Sequence, residues 1–329
     1  MSGPPFGPPD PAAEEELAPP PALASPPEHA TGIKLQRNLL FLGMALASIV
    51  VFLGPLRTLV NYALWVDKPF DQYSYTLAIP LIGVALVYLE QRRIFAHVQY
   101  GVGAGLALLL SSGVLSWLAV YYRPRLGADN SLSTNILALV LCWLGAFVLC
   151  YGSRALRAGA FPFLFLLLSV PIPDRLLDLP VTAVRYGSTE VCSLIFSLAG
   201  IPVLHSGFEF FLAHTSIEVA QECSGIHSTL AIFIISLIAG HLFLASVWRK
   251  VLLVIFALPI VCATNGLRIA GLTLLAEYVN PSFLRGSLHR EGGMGFFVLA
   301  LLLLTAILQL LRRGQEQPAG ATGRPVNKL

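Results

Sequence analysis

The sequence predicts an all-α polytopic membrane protein, and three observations support this: its composition, its long apolar runs and the placement of its positive charges. Of 329 residues, 56% are hydrophobic and only 12% are charged, whereas soluble globular domains contain about 25% charged residues. The net charge is only +3, and no basic stripe with interleaved aromatic residues follows the chain. We therefore expect membrane lipid around the protein and no nucleic acid as a partner.

About eight segments are apolar over nearly the 20 residues that a membrane-spanning helix needs. They are residues 38–59, 73–89, 101–121, 135–151, 160–173, 228–247, 251–276 and 293–311. The fifth of them becomes long enough only if its helix begins near Arg154 or Arg157. These segments define a predicted transmembrane domain over residues 34–313.

The segments on either side of this domain have a different character. Residues 1–33 are rich in Pro, Ala and Glu, a composition that buries too little apolar surface to offset the entropy of ordering. We interpret them as a disordered tail rather than a signal peptide, because no charged n-region runs directly into an apolar core. Residues 314–329 are interpreted as a second disordered tail.

Positive charge predicts the orientation. Five basic clusters follow or precede spans, at Lys34 and Arg37, Arg92 and Arg93, Arg154 and Arg157, Arg249 and Lys250, and Arg312 and Arg313. With eight spans they share one side, which the positive-inside rule assigns to the cytoplasm. Arg123 and Arg125 depart from this pattern, although Asp129 is in the same loop. We expect a multi-pass protein of the cytoplasmic (inner) membrane with both termini inside.

Residues 174–222 are then extracytoplasmic. Their first half places Asp178, Arg185 and Glu190 among apolar residues, a pattern typical of an amphipathic helix that lies in the membrane interface. Two short alternating runs, 207–212 and 216–219, predict a small hairpin just before the sixth span.

Cys223 differs from the other four cysteines, because only this one has polar neighbours on both sides. No C-x-x-C pair is present, so we predict neither a metal site nor a cofactor. Cys223 belongs to the stretch Glu222, Cys223, Ser224, Gly225, Ile226, His227 and Ser228, at the start of the sixth span. Because ionisable groups are costly at the edge of hydrocarbon, this cluster indicates function.

Two further polar positions are predicted at the same depth. The seventh span runs outward from Val251, which puts Asn265 and Arg268 about 20–26 Å along it, on one helix face. His289 is in the outer loop before the last span. A thiol, a guanidinium and an imidazole therefore converge on one side of the membrane.

This set of groups suits acyl transfer. A thiol becomes a nucleophile with help from a nearby base or cation, and Arg268, which stays protonated, can hold a developing oxyanion. His289 can pair with Cys223 and protonate a departing amine. His227, one helical turn from Cys223, is the rival base, and Glu222 either orients the site or pairs with Arg268.

Together these residues resemble the three signature boxes of the exosortase/archaeosortase family. The boxes match residues 222–228, residues 265–268 and His289, and the resemblance extends over residues 38–313. Weaker matches are Asp71-Gln72-Tyr73-Ser74-Tyr75 with Pro80, and residues 161–173. The family often has Arg at the position of His227 and His at the position of Tyr75.

The resemblance implies a membrane cysteine peptidase or transpeptidase. Its partners would be exported proteins that end in a short motif, one membrane helix and a basic tail. It implies Cys223 as the nucleophile, with Arg268 and His289 completing the triad. The supporting positions are Glu222, Ser224, His227 and Asn265. The residues alone leave two other functions open: a transporter or export component for polysaccharide or lipid, and a structural membrane scaffold.

Overall fold

The computed structural model describes residues 28–64, 73–213, 216–219, 226–280 and 293–314. Helices make up nearly all of this part of the chain. They are α1 (Glu28–Val51), α2 (Leu53–Leu64), α3 (Tyr73–Thr76), α4 (Ala78–Leu89), α5 (Gln91–Ile94), α6 (Val102–Tyr121), α7 (Arg123–Ala158), α8 (Ala160–Phe165), a 3-10 turn (Leu166–Ser169), α9 (Asp174–Leu198), α10 (Ile226–Phe243), α11 (Val247–Tyr278) and α12 (Gly293–Arg313). The backbone of α7 leaves helical geometry at Gly127 and Gly152.

Five helices of the described chain are long and apolar enough to cross a membrane. They are residues 34–51 of α1, then α6, α7, α11 and α12. Three shorter apolar helices, Ala78–Leu89, Ala160–Ser169 and Ser228–Phe243, coincide with the other predicted segments. The all-α polytopic class is thus confirmed, and the number of spans stays a prediction.

Prolines divide the first two predicted spans. The first is split between α1 and α2, where Pro55 has no N–H to donate to the carbonyl of Val51. The second is split between α3 and α4, where Pro80 likewise has no N–H to donate to the carbonyl of Thr76. Each proline removes one intrahelical hydrogen bond at the break.

The first helix begins at Glu28, so residues 28–33 of the predicted N-terminal tail are helical. Proline is unfavourable inside a helix, and Pro27 is the last proline before this start. The rest of that tail and residues 315–329 lie outside the described residues.

The predicted amphipathic helix is confirmed as α9. Its buried residues recur every three or four positions, as expected for one helix face; they include Leu177, Val181, Val184, Ser188, Cys192 and Phe196. Large apolar side chains such as Leu179 and Leu198 are exposed on the rest of its surface. Its location in the membrane interface stays a prediction.

The predicted hairpin is also present, with one strand more than expected. β2 (Glu209–Phe211) pairs antiparallel with β3 (Ser216–Glu218). A further strand, β1 (Leu204–Ser206), pairs with the other edge of β2. Residues 203–206 are two apolar residues followed by two polar ones, so they lack the alternation that predicts a strand.

The helix α11 lies at the centre of the C-terminal half, where it packs against α9, α10 and α12. Their shared core includes Val184 of α9, Ile232 of α10, Leu253 of α11 and Leu304 of α12. Two glycines bring α9 and α11 unusually close. A Cβ on Gly187 would lie 2.5 Å from Cys262 Sγ, and one on Gly266 would lie 2.6 Å from Val191 Cβ.

We predict that Gly266→Ala destabilises the protein by about 1–3 kcal/mol, because the added methyl group overpacks the contact between α9 and α11. The matched control is Gly271→Ala, since a Cβ at that position of α11 meets nothing within 4 Å. Unfolding of both purified variants in detergent checks this. Equal stability of the two variants would contradict the close contact.

Candidate active site

The predicted site residues divide into those that the structure describes and those that it does not. Glu222, Cys223, Ser224 and His289 lie outside the described residues. His227 belongs to the first turn of α10, but its side chain is not described. Asn265 and Arg268 are described, both on α11.

Asn265 and Arg268 line one small pocket between α10, α11 and α12. Its walls are Ser228, Val261, Thr264, Asn265, Arg268, Gly293, Phe296, Phe297 and Ala300. The cavity volume is about 20 Å³, enough for about one water molecule. Polar groups of α10 and α11 thus face an aromatic wall contributed by α12.

Asn265 is held by a partner that is distant in sequence. Its Nδ2 donates a hydrogen bond of 3.0 Å to Ser188 Oγ on α9, and both residues are buried. A hydrogen bond between two buried polar groups fixes the amide orientation, because breaking it leaves a desolvated donor. The sequence gives no sign of this role for Ser188, one of several small polar residues on α9.

The half-buried Arg268 lies one helical turn beyond Asn265. A Cβ built on Gly293 would be 3.9 Å from Arg268 Cζ, so the start of α12 passes close to the guanidinium. Phe296 and Phe297 line the same pocket. Because apolar walls lower the local dielectric constant, a cation in this position acts more strongly on a nearby negative charge than it would in water.

Arg185 of α9 fastens the chain that leads toward the Cys223 stretch. Its Nε donates a hydrogen bond to the carbonyl oxygen of Val219, and its Nη2 is 2.8 Å from Glu218 Oε1. The guanidinium also stacks 3.8 Å from the ring centre of Phe208. The sequence identified Arg185 only as a charge on an amphipathic helix, since its two hydrogen-bond partners are more than thirty residues away.

The small sheet is joined to the same helices by an apolar cluster. Phe210 of β2 packs with Phe196 and Cys192 of α9, with Val219 and with Ala270 of α11. All five are buried. The end of β3 and the Arg268 turn of α11 are therefore held against the same helix, α9.

Cys192 is unsuited to nucleophilic chemistry. Its thiol donates a 3.2 Å hydrogen bond to the carbonyl oxygen of Gly266, and burial raises its pKa to about 12. A thiol with so high a pKa carries almost no thiolate at neutral pH. The contact therefore strengthens the packing of α9 on α11.

Within the ranges that the structure describes, no three His, Cys, Asp or Glu side chains are grouped so that they could hold a metal ion. What the described pocket provides is one cation, one oriented amide and two hydroxyl groups, those of Ser228 and Thr264. Such groups can stabilise negative charge and orient a carbonyl, the requirement of acyl-transfer chemistry.

The fold and the pocket define a polytopic helical membrane protein with a polar site between its C-terminal helices. Residues 65–306 match the family model described as transmembrane exosortase, which covers more than half of the chain. The protein therefore belongs to the transmembrane exosortase family, as the resemblance of its boxes indicated. Comparisons with curated proteins and with solved structures found no match.

We predict that Ser188→Ala and Asn265→Ala each reduce the free energy of unfolding by about 1–3 kcal/mol, because each leaves a buried polar partner unsatisfied. In the double variant the loss of unfolding free energy should be about 1 kcal/mol smaller than the sum of the two single losses, as expected for side chains that interact directly. Ser197→Ala, an exposed position on α9, is the control and should have little effect. Additive losses would exclude the hydrogen bond.

A second prediction concerns Arg185→Ala. Loss of a hydrogen bond from a charged group should lower local stability enough to speed amide exchange at Val219 by about tenfold or more. Val219 N–H donates to Phe208 in the intact sheet, so its exchange reports directly on that contact. Glu190→Gln, at an exposed position of α9, should leave this exchange rate unchanged. Equal rates in all three proteins would show that Arg185 does not hold the strand.

Proposed function

We propose that this exosortase is a membrane-embedded cysteine peptidase or transpeptidase that cleaves the C-terminal sorting signal of exported proteins. Cys223 is the nucleophile in this proposal, and Arg268 and His289 complete the triad. The observation that carries it is the composition of the pocket wall, where Ser228 and Gly293 flank Asn265 and Arg268.

Ser228 and Gly293 matter because they follow the two segments that bear the other triad members. Cys223 precedes Ser228 by five residues, and His289 precedes Gly293 by four. A chain extends at most about 3.6 Å per residue, so the Cα atom of Cys223 is within about 18 Å of that of Ser228. The same limit is about 14 Å for His289 and Gly293. These limits are compatible with a site that the thiol and the imidazole share with Arg268, and in this way they support the proposal.

The proposed reaction begins when the thiolate of Cys223 attacks a peptide carbonyl near the substrate's membrane helix. A bond forms between sulfur and the carbonyl carbon, and the carbonyl oxygen becomes an oxyanion that Arg268 stabilises. The tetrahedral intermediate collapses to a thioester, and the departing amine takes up a proton. Water, an amine or a hydroxyl acceptor then attacks the thioester and restores the thiol.

Proton transfer in both steps requires a base that becomes an acid. His289 is proposed for this role because an imidazole titrates near neutral pH. His227, in the first turn of α10, is the alternative. Glu222, Ser224 and Asn265 are proposed to support the site, Asn265 through the orientation that Ser188 gives its amide.

The remaining parts of the proposal concern location and substrate. The basic clusters favour an inner-membrane protein whose active site faces the extracytoplasmic side. The substrate would be an exported protein that ends in a short motif, one membrane helix and a basic tail. Its basic tail would remain on the cytoplasmic side, where it prevents full translocation.

The test is processing of a co-expressed substrate of this type, followed as a shift in its mass. Cys223→Ala should reduce cleavage by about a thousandfold or more, while the protein stays in the membrane at its normal level. Cys142→Ala, in α7 outside the site, is the matched control and should process normally. Normal processing by Cys223→Ala would disprove the proposal.

Arg268→Lys tests the role of the guanidinium. Lysine keeps the charge but loses the planar set of donors, so we expect a loss of about 10²–10³ in rate if Arg268 binds the oxyanion. The loss should fall on kcat rather than KM, because the oxyanion forms only after binding. An unchanged kcat would show that Arg268 does not stabilise the oxyanion.

A further inference from the structure

A second cavity lies between α2, α6 and α7. Its volume is about 350 Å³, which is much larger than the pocket beside Arg268. Its lining includes Val51, Thr58 of α2, Ser116 and Val120 of α6, and Arg123 and Asn135 of α7. It is therefore an amphipathic groove, with one cation, several hydroxyl groups and an apolar rim.

The polar part of this groove is organised by hydrogen bonds. Ser116 Oγ donates to Asn135 Oδ1 at 3.0 Å, and Asn135 Nδ2 donates to the carbonyl oxygen of Ser131 at 2.8 Å. Ser131 Oγ in turn donates to the carbonyl oxygen of Ala119. Asn135 and Ser131 are buried, so these polar groups form a fixed lining rather than a mobile surface.

Arg123 supplies the charge. Arg123 and Arg125 are the pair that departs from the positive-inside pattern of the other basic clusters. A role in the groove explains why a cation is present at position 123 on the predicted outer side. The two arginines differ in position, since Arg123 lines the groove and Arg125 does not. A cation beside a row of hydroxyl and amide groups is suited to an anionic headgroup that also carries hydroxyls.

The position of the groove and its aromatic neighbours indicate headgroup depth. It lies at the turn between α6 and α7, two of the candidate spans. Trp117 and Tyr121 stack beside this turn with ring centres 5.3 Å apart, and both are exposed. Exposed Trp and Tyr side chains are typical of the membrane–water interface. A ligand with its head at Arg123 therefore has hydrocarbon next to its tail.

We propose that this groove binds one anionic phospholipid. The phosphate contacts Arg123, the polar headgroup contacts the hydroxyl and amide groups of Thr58, Ser116 and Asn135, and the first part of an acyl chain covers the apolar rim. Val51 and Val120 form that rim and are exposed in the protein alone. The lipid is held independently of the proposed cleavage site.

Native mass spectrometry of the full chain in detergent tests the site. Dioleoyl phosphatidylglycerol should bind as one tight equivalent, and dioleoyl phosphatidylcholine should bind at least tenfold more weakly. Arg123→Gln should weaken phosphatidylglycerol binding by about tenfold or more, because a charge-assisted hydrogen bond is lost. Arg125→Gln removes the same charge from the same turn and should bind like the parent protein.

Ala128→Phe tests the groove without a change of charge. Ala128 is exposed and lines the cavity, so a phenyl ring should fill it and block the lipid while the protein remains folded. Equal losses in Arg123→Gln and Arg125→Gln would overturn the proposal in favour of diffuse attraction. Unchanged binding by Ala128→Phe would also overturn it. Displacement of the lipid by soluble glycerol phosphate would show that the ligand is a free phosphate ester and not a phospholipid.

Discussion

The architecture of the site depends on how closely α9 approaches α11. Gly187 and Gly266 present no Cβ at the crossing, where one would lie only 2.5 Å from Cys262 and 2.6 Å from Val191 respectively. This closeness lets Ser188 reach Asn265 and lets Cys192 donate to the carbonyl of Gly266. Hydrogen bonds between helices and small interface residues are the usual basis of tight helix packing in membranes.

The same contact ties separate parts of the chain to one place. The sheet is fastened to α9 by Arg185 and by the cluster around Phe210, and α9 is fastened to the α11 segment that bears Asn265 and Arg268. The chain therefore enters the Cys223 stretch from a fixed point at Val219 and leaves it at Ser228, beside Arg268. The proposed nucleophile therefore belongs to a segment whose two ends are held, which reduces the entropy lost in adopting a reactive geometry.

Sequence patterns predicted the features with local signals. Apolar length identified the long apolar helices, and the placement of Asp178, Arg185 and Glu190 among apolar residues identified α9 as amphipathic. Contacts between distant residues had no such signal: Ser188 is 77 positions from Asn265, and the hydrogen-bond partners of Arg185 are 33 and 34 positions away. Pro55 and Pro80 are visible in the sequence, but a prediction based only on the length of apolar segments does not include the helix breaks that they cause. Likewise, β1 was missed because its pairing with β2, and not its own three residues, makes it a strand.

The most direct measurement is mass spectrometry of the protein trapped with a candidate substrate, after rapid acid quenching to preserve thioesters. The account predicts a hydroxylamine-sensitive adduct on Cys223 whose mass equals the substrate cleaved before its membrane helix. That adduct should be absent from Cys223→Ser. Cleaved substrate without any adduct on Cys223, or an adduct on another cysteine, would contradict the assignment of the nucleophile.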